Sequence, residues 1–226
     1  MKTWAVILAG GQGKRMKSNV QKQYLLIKGK PVIYYTIKAF EESPVDGIVL
    51  VCGAGDVDYC KNEIVEKYGF KKVACIVEGG KERYNSVYNG LQAIEAADYV
   101  LIHDGARPFV TDEIIQRNII CAREYNACVT AMVSKDTVKI SDDNGFVTET
   151  PNRNNVWIVQ TPQTFRFELI KKAYESILSG SADGITDDAM VVERVYNCPI
   201  KFVEGSYTNI KITTPEDLDI AEILIQ

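Results

Sequence analysis

Short apolar runs alternate with amphipathic stretches through the first half of the chain. Residues 4–8 (Trp-Ala-Val-Ile-Leu) form one apolar run, and it ends in glycines. Residues 48–52 form another, continuous in the manner of a strand buried on both faces. Residues 73–77, 99–103 and 127–133 repeat the pattern. Between these runs, residues 31–43, 56–68, 83–95 and 112–125 carry apolar positions at helical spacing. The first of them opens on Pro31, which a first helical turn accepts. This alternation predicts an α/β fold, with a Rossmann-like, mainly parallel (mixed) sheet and helices on both faces.

The rhythm breaks near Ser134. Residues 136–140 and 146–149 alternate like strands, with Asp142-Asp143-Asn144-Gly145 between them, and Asn-Gly is a strong hairpin signal. Large apolar residues are few here, so residues 134–155 read as a β-hairpin arm projecting from a single domain of 226 residues. The pattern then predicts strands at 157–160, 200–203 and 209–212, and helices at 167–178 and 186–195. Thr214-Pro215-Glu216-Asp217 has the form of an N-cap followed by proline at the first helical position, and it starts a last helix to residue 225.

Composition narrows the function only by exclusion. The net charge is −4, so any basic site is local, and nothing suggests a nucleic-acid or membrane surface. No apolar run approaches the roughly 18 residues of a membrane span, and the N-terminus reads as a first strand, not a leader. A cytoplasmic protein is expected. Six cysteines occur without a Cys-x-x-Cys pair, beside a single histidine, which argues against a zinc site and a disulfide framework. They read as small buried hydrophobes.

The candidate chemistry lies in Leu8-Ala9-Gly10-Gly11-Gln12-Gly13-Lys14-Arg15-Met16. A strand, a Gly-rich turn and basic residues suit phosphate, because glycines let backbone N–H groups approach its oxygens. The spacing fits neither a P-loop, since Gly13-Lys14 is followed by Arg15, nor the dinucleotide Gly-x-Gly-x-x-Gly, since Met16 takes the third site. A dinucleotide-dependent oxidoreductase is thereby excluded.

Further segments extend the pattern: Lys22-Gln23-Tyr24-Leu25, Gly79-Gly80-Lys81-Glu82-Arg83-Tyr84-Asn85-Ser86-Val87, His103-Asp104-Gly105-Ala106-Arg107-Pro108, Gln160-Thr161-Pro162-Gln163 and Asn209-Ile210-Lys211-Ile212-Thr213. In this order the set resembles the sugar-phosphate nucleotidyltransferases, and within them the 2-C-methyl-D-erythritol 4-phosphate cytidylyltransferase family. The resemblance implies a CTP site formed by Ala9, Gly10, Gly11, Gly13, Gly80, Ser86 and Asp104. It implies Arg15, Lys22 and Lys211 as the catalytic cations, with Arg83 in support. The acceptor site it implies comprises Asp104, Arg107, Thr137, Arg153, Thr161, Thr186 and Lys211. Thr137 and Arg153 would come from the arm of a neighbouring subunit, which makes a homodimer the expected partner state. Mg²⁺ is the implied cofactor, carried mainly on the CTP phosphates, with no protein metal ligand.

Residue chemistry agrees with that expectation. A phosphomonoester acceptor is largely ionised at neutral pH, so no general base is needed to make the nucleophile. The obstacle is repulsion between two anions, which cations relieve. His103 reads as a structural neighbour of Asp104, Asp187 and Asp188 as acids suited to a first helical turn, and Tyr84 and Tyr88 as helix-face packing. Two alternatives stay open on the residues alone. Ala9-Gly10-Gly11 is also the form found in relatives that load ribitol 5-phosphate, and a non-catalytic nucleotide-binding module would keep the Gly-rich turn.

Overall fold

The computed structural model describes residues 1–11, 16, 20–180 and 182–225. Gly13 and Arg15 lie outside the described residues.

Strand β1 (Thr3–Ala9) is followed by the small pair β2 (Leu26–Ile27) and β3 (Lys30–Pro31), then α1 (Val32–Glu41) and β4 (Gly47–Cys52). Helix α2 (Val57–Tyr59) continues as a π-helical stretch, Cys60–Glu66, into β5 (Val73–Glu78). The chain goes on through α3 (Arg83–Gln92), β6 (Tyr99–Asp104), α4 (Asp112–Tyr125) and β7 (Ala127–Val133). A small pair, β8 (Ile140–Ser141) and β9 (Val147–Glu149), precedes β10 (Trp157–Arg166), α5 (Phe167–Leu178), α6 (Asp188–Tyr196), β11 (Lys201–Glu204) and α7 (Pro215–Leu224).

The seven-stranded sheet has the order β11-β7-β10-β6-β1-β4-β5. All its pairings are parallel except those of β10, which runs antiparallel to both β6 and β7. The α/β fold expected from the pattern is therefore observed. Period-two alternation along β1 separates two cores. Ala5, Ile7 and Ala9 face α1 and α4 through Ile33, Ile37, Phe40, Ile115 and Ile119. Val6 faces the other side, with Val87 and Leu91 of α3, Ile170 and Tyr174 of α5, and Val191 and Val192 of α6. Tyr84 and Tyr88 pack against this second core. No helix among the described residues is long and apolar enough to cross a membrane.

Three expectations are corrected. The strand expected at 157–160 extends to Arg166, because buried Gln160, Thr161, Gln163 and Thr164 all find polar partners. The strand expected at 209–212 is irregular. Asn209 is fully buried and its carbonyl accepts from Arg107 Nη1 at 2.8 Å, while Ile212 N–H donates to Ala106 O at 2.8 Å. In the arm only Ile140–Ser141 is strand on the first side, because Ser134 Oγ bends the chain onto Asp136 O at 3.1 Å. The hairpin turn itself is held by Asp142, whose Oδ1 accepts from Asn144 and Phe146 N–H groups, with Gly145 at φ 84°.

Gly90 sets how closely α3 approaches the sheet. A Cβ there would lie 2.6 Å from Val6 Cγ1 and 2.9 Å from Val51 Cγ2. Alanine improves helix propensity by about 1 kcal/mol, but overpacking a fitted core costs about 1–3 kcal/mol. Gly90→Ala is predicted to lower stability in urea unfolding by a net amount of up to about 2 kcal/mol. A more stable variant contradicts this packing.

Candidate active site

The C-terminal ends of four parallel strands open onto one cavity of about 840 Å³. β1 runs into Gly10 and Gly11, β4 into Gly53, β5 into Gly79 and Gly80, and β6 ends at Asp104. β1 has β4 on one side and the later β6 on the other, and such a reversal of strand order leaves a crevice for ligands.

One wall is the turn into α3. Gly80 N–H donates to Ser86 Oγ at 3.1 Å, and Glu82 N–H donates to Asn85 Oδ1 at 3.2 Å. A Cβ on Gly80 would lie 2.3 Å from Asn85 Cβ. The turn is thus pressed onto the helix, so the absence of side chains at Gly79 and Gly80 is a packing requirement as well as an opening toward the cavity.

The floor is ionic. Asp104 is 8% exposed. Lys211 Nζ lies 2.8 Å from its Oδ2, Arg107 Nε 3.6 Å from Oδ2, and Arg83 Nε 3.7 Å from Oδ1. Burial alone would push this carboxyl up; Lys211, Arg83 and Arg107 more than reverse that and hold it well below the usual carboxylate range. Arg83 is gripped from behind by Asp188, with Nη1 donating to Oδ1 at 2.8 Å and Nη2 to Oδ2 at 2.6 Å. Burial opposes the Arg83 charge, but Asp188 and Asp104 keep the guanidinium firmly protonated. Tyr174 donates to Asp188 Oδ1 at 2.6 Å. Asp188 is therefore corrected from a dipole-compensating acid to the fully buried partner of Arg83. Asp187 does cap α6, its Oδ1 accepting from Met190 N–H at 2.9 Å. Three cations against two carboxylates leave the cluster with one positive charge.

A layer of polar side chains supports the floor. Thr161, 4% exposed, accepts from Asp104 N–H at 3.1 Å and lies 3.0 Å from His103 Nδ1. Its hydroxyl is engaged beneath the cavity floor. His103 Nε2 lies 3.2 Å from Arg107 O. Gln163 Oε1 accepts from the N–H groups of Asp188 and Ala189, and its Nε2 donates to Asp187. Asn209 Nδ2 donates to Thr161 O at 2.9 Å, which ties the irregular segment bearing Lys211 to β10.

A second cavity of about 430 Å³ adjoins the first. Lys211 lines both, and Arg107, Gln160 and Tyr207 line the second, where Lys135 Nζ sits 3.5 Å from the Tyr207 ring centroid.

The structure thus gathers Gly10, Gly11, Lys22, Gly80, Ser86, Asp104 and Lys211 around the larger cavity and Arg107 at the smaller. Ala9 is buried at the end of β1 and presents its carbonyl to Gln23. Thr137, Arg153 and Thr186 are exposed and line neither cavity of this single chain. Sequence reasoning missed Asp188, Gln163 and Asn209 as supports; the quoted motif around Thr161 contained one of them. Among the described residues no group of three or more His, Cys, Asp or Glu side chains converges. Both Asp104 oxygens face cations of the protein, Oδ2 toward Lys211 and Arg107 and Oδ1 toward Arg83, so the site fits a Mg²⁺ ion carried on substrate phosphates and not one held by a carboxylate.

Comparison with known proteins gives one family throughout. Residues 3–226 match the family model "IspD: 2-C-methyl-D-erythritol 4-phosphate cytidylyltransferase". The chain is similar to the 2-C-methyl-D-erythritol 4-phosphate cytidylyltransferase of Lachnoclostridium phytofermentans, with 52% identity over 225 residues, covering 100% of this chain and 97% of that one. It is similar to the crystal structure of 4-diphosphocytidyl-2C-methyl-D-erythritol synthase from Anaerococcus prevotii, with TM-score 0.88, 37% identity and coverage of 100% and 96%. The Francisella tularensis 2-C-methyl-D-erythritol 4-phosphate cytidylyltransferase structure matches with TM-score 0.81, 30% identity and full coverage of both chains.

Burial pushes the His103 imidazole down from 6.5 to about 4. The unfolded chain therefore binds the proton more readily than the folded one. Stability is fully present above pH 6.5 and is lost as pH falls toward about 4, by about 3 kcal/mol over that window. Urea unfolding of the parent and of His103→Gln across this range measures it. The variant is predicted to lack this part of the slope, and identical slopes contradict the assignment.

Proposed function

The chain belongs to the 2-C-methyl-D-erythritol 4-phosphate cytidylyltransferase family, and from that premise we propose how its own residues carry the reaction. The enzyme transfers the cytidylyl group of CTP to 2-C-methyl-D-erythritol 4-phosphate and releases pyrophosphate, a step of non-mevalonate isoprenoid synthesis. The family and its relatives favour this acceptor over ribitol 5-phosphate, and an enzyme over a binding module.

In our reading CTP fills the larger cavity. Its base and ribose lie against Gly80, Ser86 and Asp104, and its triphosphate against Ala9, Gly10 and Gly11, with Gly13 and Arg15, next in sequence, as further contacts. The polyol phosphate enters the smaller cavity beside Arg107 and Lys211. Thr161 acts from below, by fixing Asp104, and Thr186, outside both cavities of the single chain, meets the acceptor in the assembled site. A homodimer completes the site with Thr137 and Arg153 of the partner subunit, delivered by an arm spanning residues 134–155 of the single domain. Mg²⁺ carried on the triphosphate would supply further neutralisation of phosphate charge. The reading carries a cytoplasmic location, the compartment that provides CTP.

The ionised acceptor phosphate attacks the α-phosphorus in line with the departing pyrophosphate. Negative charge crowds both partners, and water-poor, fixed cations stabilise it without reorganisation. Lys211 is the observation that carries this reading: it lines both cavities, so its ammonium can serve attacking and attacked phosphates together. Lys22 and Arg15 hold the other end of the triphosphate. No side chain need take a proton from the nucleophile.

Pyrophosphate release from CTP and 2-C-methyl-D-erythritol 4-phosphate tests the assignment. Lys211→Ala is predicted to lose about a hundred- to a thousand-fold in kcat. Its melting temperature should change little, because Arg83 and Arg107 still neutralise Asp104. Near-parental turnover would remove Lys211 from the chemistry.

A further inference from the structure

Lys22 begins a tight turn, Lys22–Tyr24, at the wall of the larger cavity. The turn closes on its own backbone, Tyr24 N–H donating to Gln21 O at 2.9 Å and Leu25 N–H to Lys22 O at 3.4 Å. The side chains on either side of Lys22 form a closed polar network. Gln21 Nε2 donates to Asp56 Oδ2 at 2.7 Å. Gln23, 1% exposed, donates from Nε2 to Ala9 O and to Gln21 Oε1. Tyr24, at the far end of the turn, reaches the same Asp56 Oδ2 at 3.4 Å and lies 3.1 Å from Cys60 Sγ. One carboxylate oxygen therefore takes hydrogen bonds from residues on both sides of Lys22.

Asp56 is itself anchored. Its N–H donates to Gly53 O at 3.1 Å, and its carbonyl accepts from Cys60 N–H at 2.8 Å. A Cβ at position 53 would lie 2.6 Å from Asp56 Oδ2, so the strand end leaves room for this carboxylate only because it is glycine. The backbone of Gln21 sits at φ −61° and ψ 139°. Proline imposes nearly that φ without any side-chain contact. Glutamine does not, so in this chain the side-chain tie to Asp56 joins the Tyr24 N–H bond to Gln21 O in holding the conformation.

We propose that Asp56 is a positioning residue for the reaction: through Gln21 it fixes the backbone from which Lys22 reaches the nucleotide phosphates. This rests on the assignment of Lys22 to those phosphates. Losing the tie loosens the backbone at position 21 and shifts the point from which Lys22 reaches the phosphates. A displacement of about 1 Å at a reacting centre can cost up to about a hundred-fold in rate.

The test compares two ways of removing the Gln21 amide. Gln21→Ala deletes the tie and leaves φ free; Gln21→Pro deletes it but restricts φ. Steady-state pyrophosphate release at saturating 2-C-methyl-D-erythritol 4-phosphate gives kcat and the KM for CTP. Gln21→Ala and Asp56→Ala are each expected to lose about ten-fold or more in kcat. Gln21→Pro is expected to stay near the parent, and the Asp56→Ala/Gln21→Pro double variant to recover most of the loss. A purely structural role for Asp56 would not be rescued this way, because proline restores none of its contacts to Tyr24. If Asp56→Ala does not fold, the Gln21 pair still decides: equal activity of Gln21→Ala and Gln21→Pro overturns the proposal. Lys22→Ala separates the two layers. Full turnover in that variant overturns the assignment of Lys22 to the phosphates; loss in Lys22→Ala with none in Gln21→Ala overturns the positioning role alone.

Discussion

Asp104 carries its charge at a place where water scarcely reaches it, and an isolated carboxylate there is too costly to keep ionised. Lys211, Arg107 and Arg83 supply the missing solvation, each from a different part of the chain. Each cation in turn needs its own support. Arg83 requires the buried Asp188 at the head of α6, which Tyr174 and Gln163 hold in place. Arg107 requires the Asn209 carbonyl, and Asn209 requires β10. One ionised carboxylate thereby ties β6, α3, α6, β10 and the segment before α7 into one arrangement. Losing the fully buried Asp188 would be costly because it takes the close counter-charge from Arg83, whereas losing one of the three cations leaves two against Asp104.

This arrangement accounts for how the site can bring two anions together. Asp104 fixes Lys211 where the two cavities meet, yet the cluster keeps a net positive charge for phosphate. The neutral His103 and Thr161 beneath it add hydrogen bonds without adding charge. Lys22, also at the larger cavity, is mounted differently, beside the polar network of Gln21, Gln23 and Asp56. The two lysines thus depend on separate supports, one ionic and one conformational.

Much of the fold was legible where one period dominated. Residues 112–125, 127–133 and 167–178 have the bounds expected of them, because helical or strand periodicity ran unbroken between clear caps. The second half of β10 was hidden, since a buried strand made of Gln, Thr and Pro reads as loop until its hydrogen-bond partners are known. Asp188 was hidden for a related reason: a first-turn acid is usually solvated, and only the fold places Arg83 105 residues away against it. The ordered motifs singled out Asp104, Lys211 and Ser86 from widely separated segments, and all three line the larger cavity. They did not reveal that Thr161 would be spent beneath the floor, or that Thr137 and Arg153 would lie away from both cavities in a single chain.

The central claim is that Asp104 acts by organising cations and not by attracting the nucleotide. The most direct measurement sets CTP affinity, by isothermal titration calorimetry, beside turnover for Asp104→Asn. Neutralising the carboxylate frees Lys211, Arg83 and Arg107 from their shared counter-charge, so the cavity becomes more positive. CTP should bind as tightly as in the parent or more tightly, while kcat falls by about a hundred-fold or more. Turnover close to the parent, or a loss of CTP binding that matches the loss of turnover, would contradict the account.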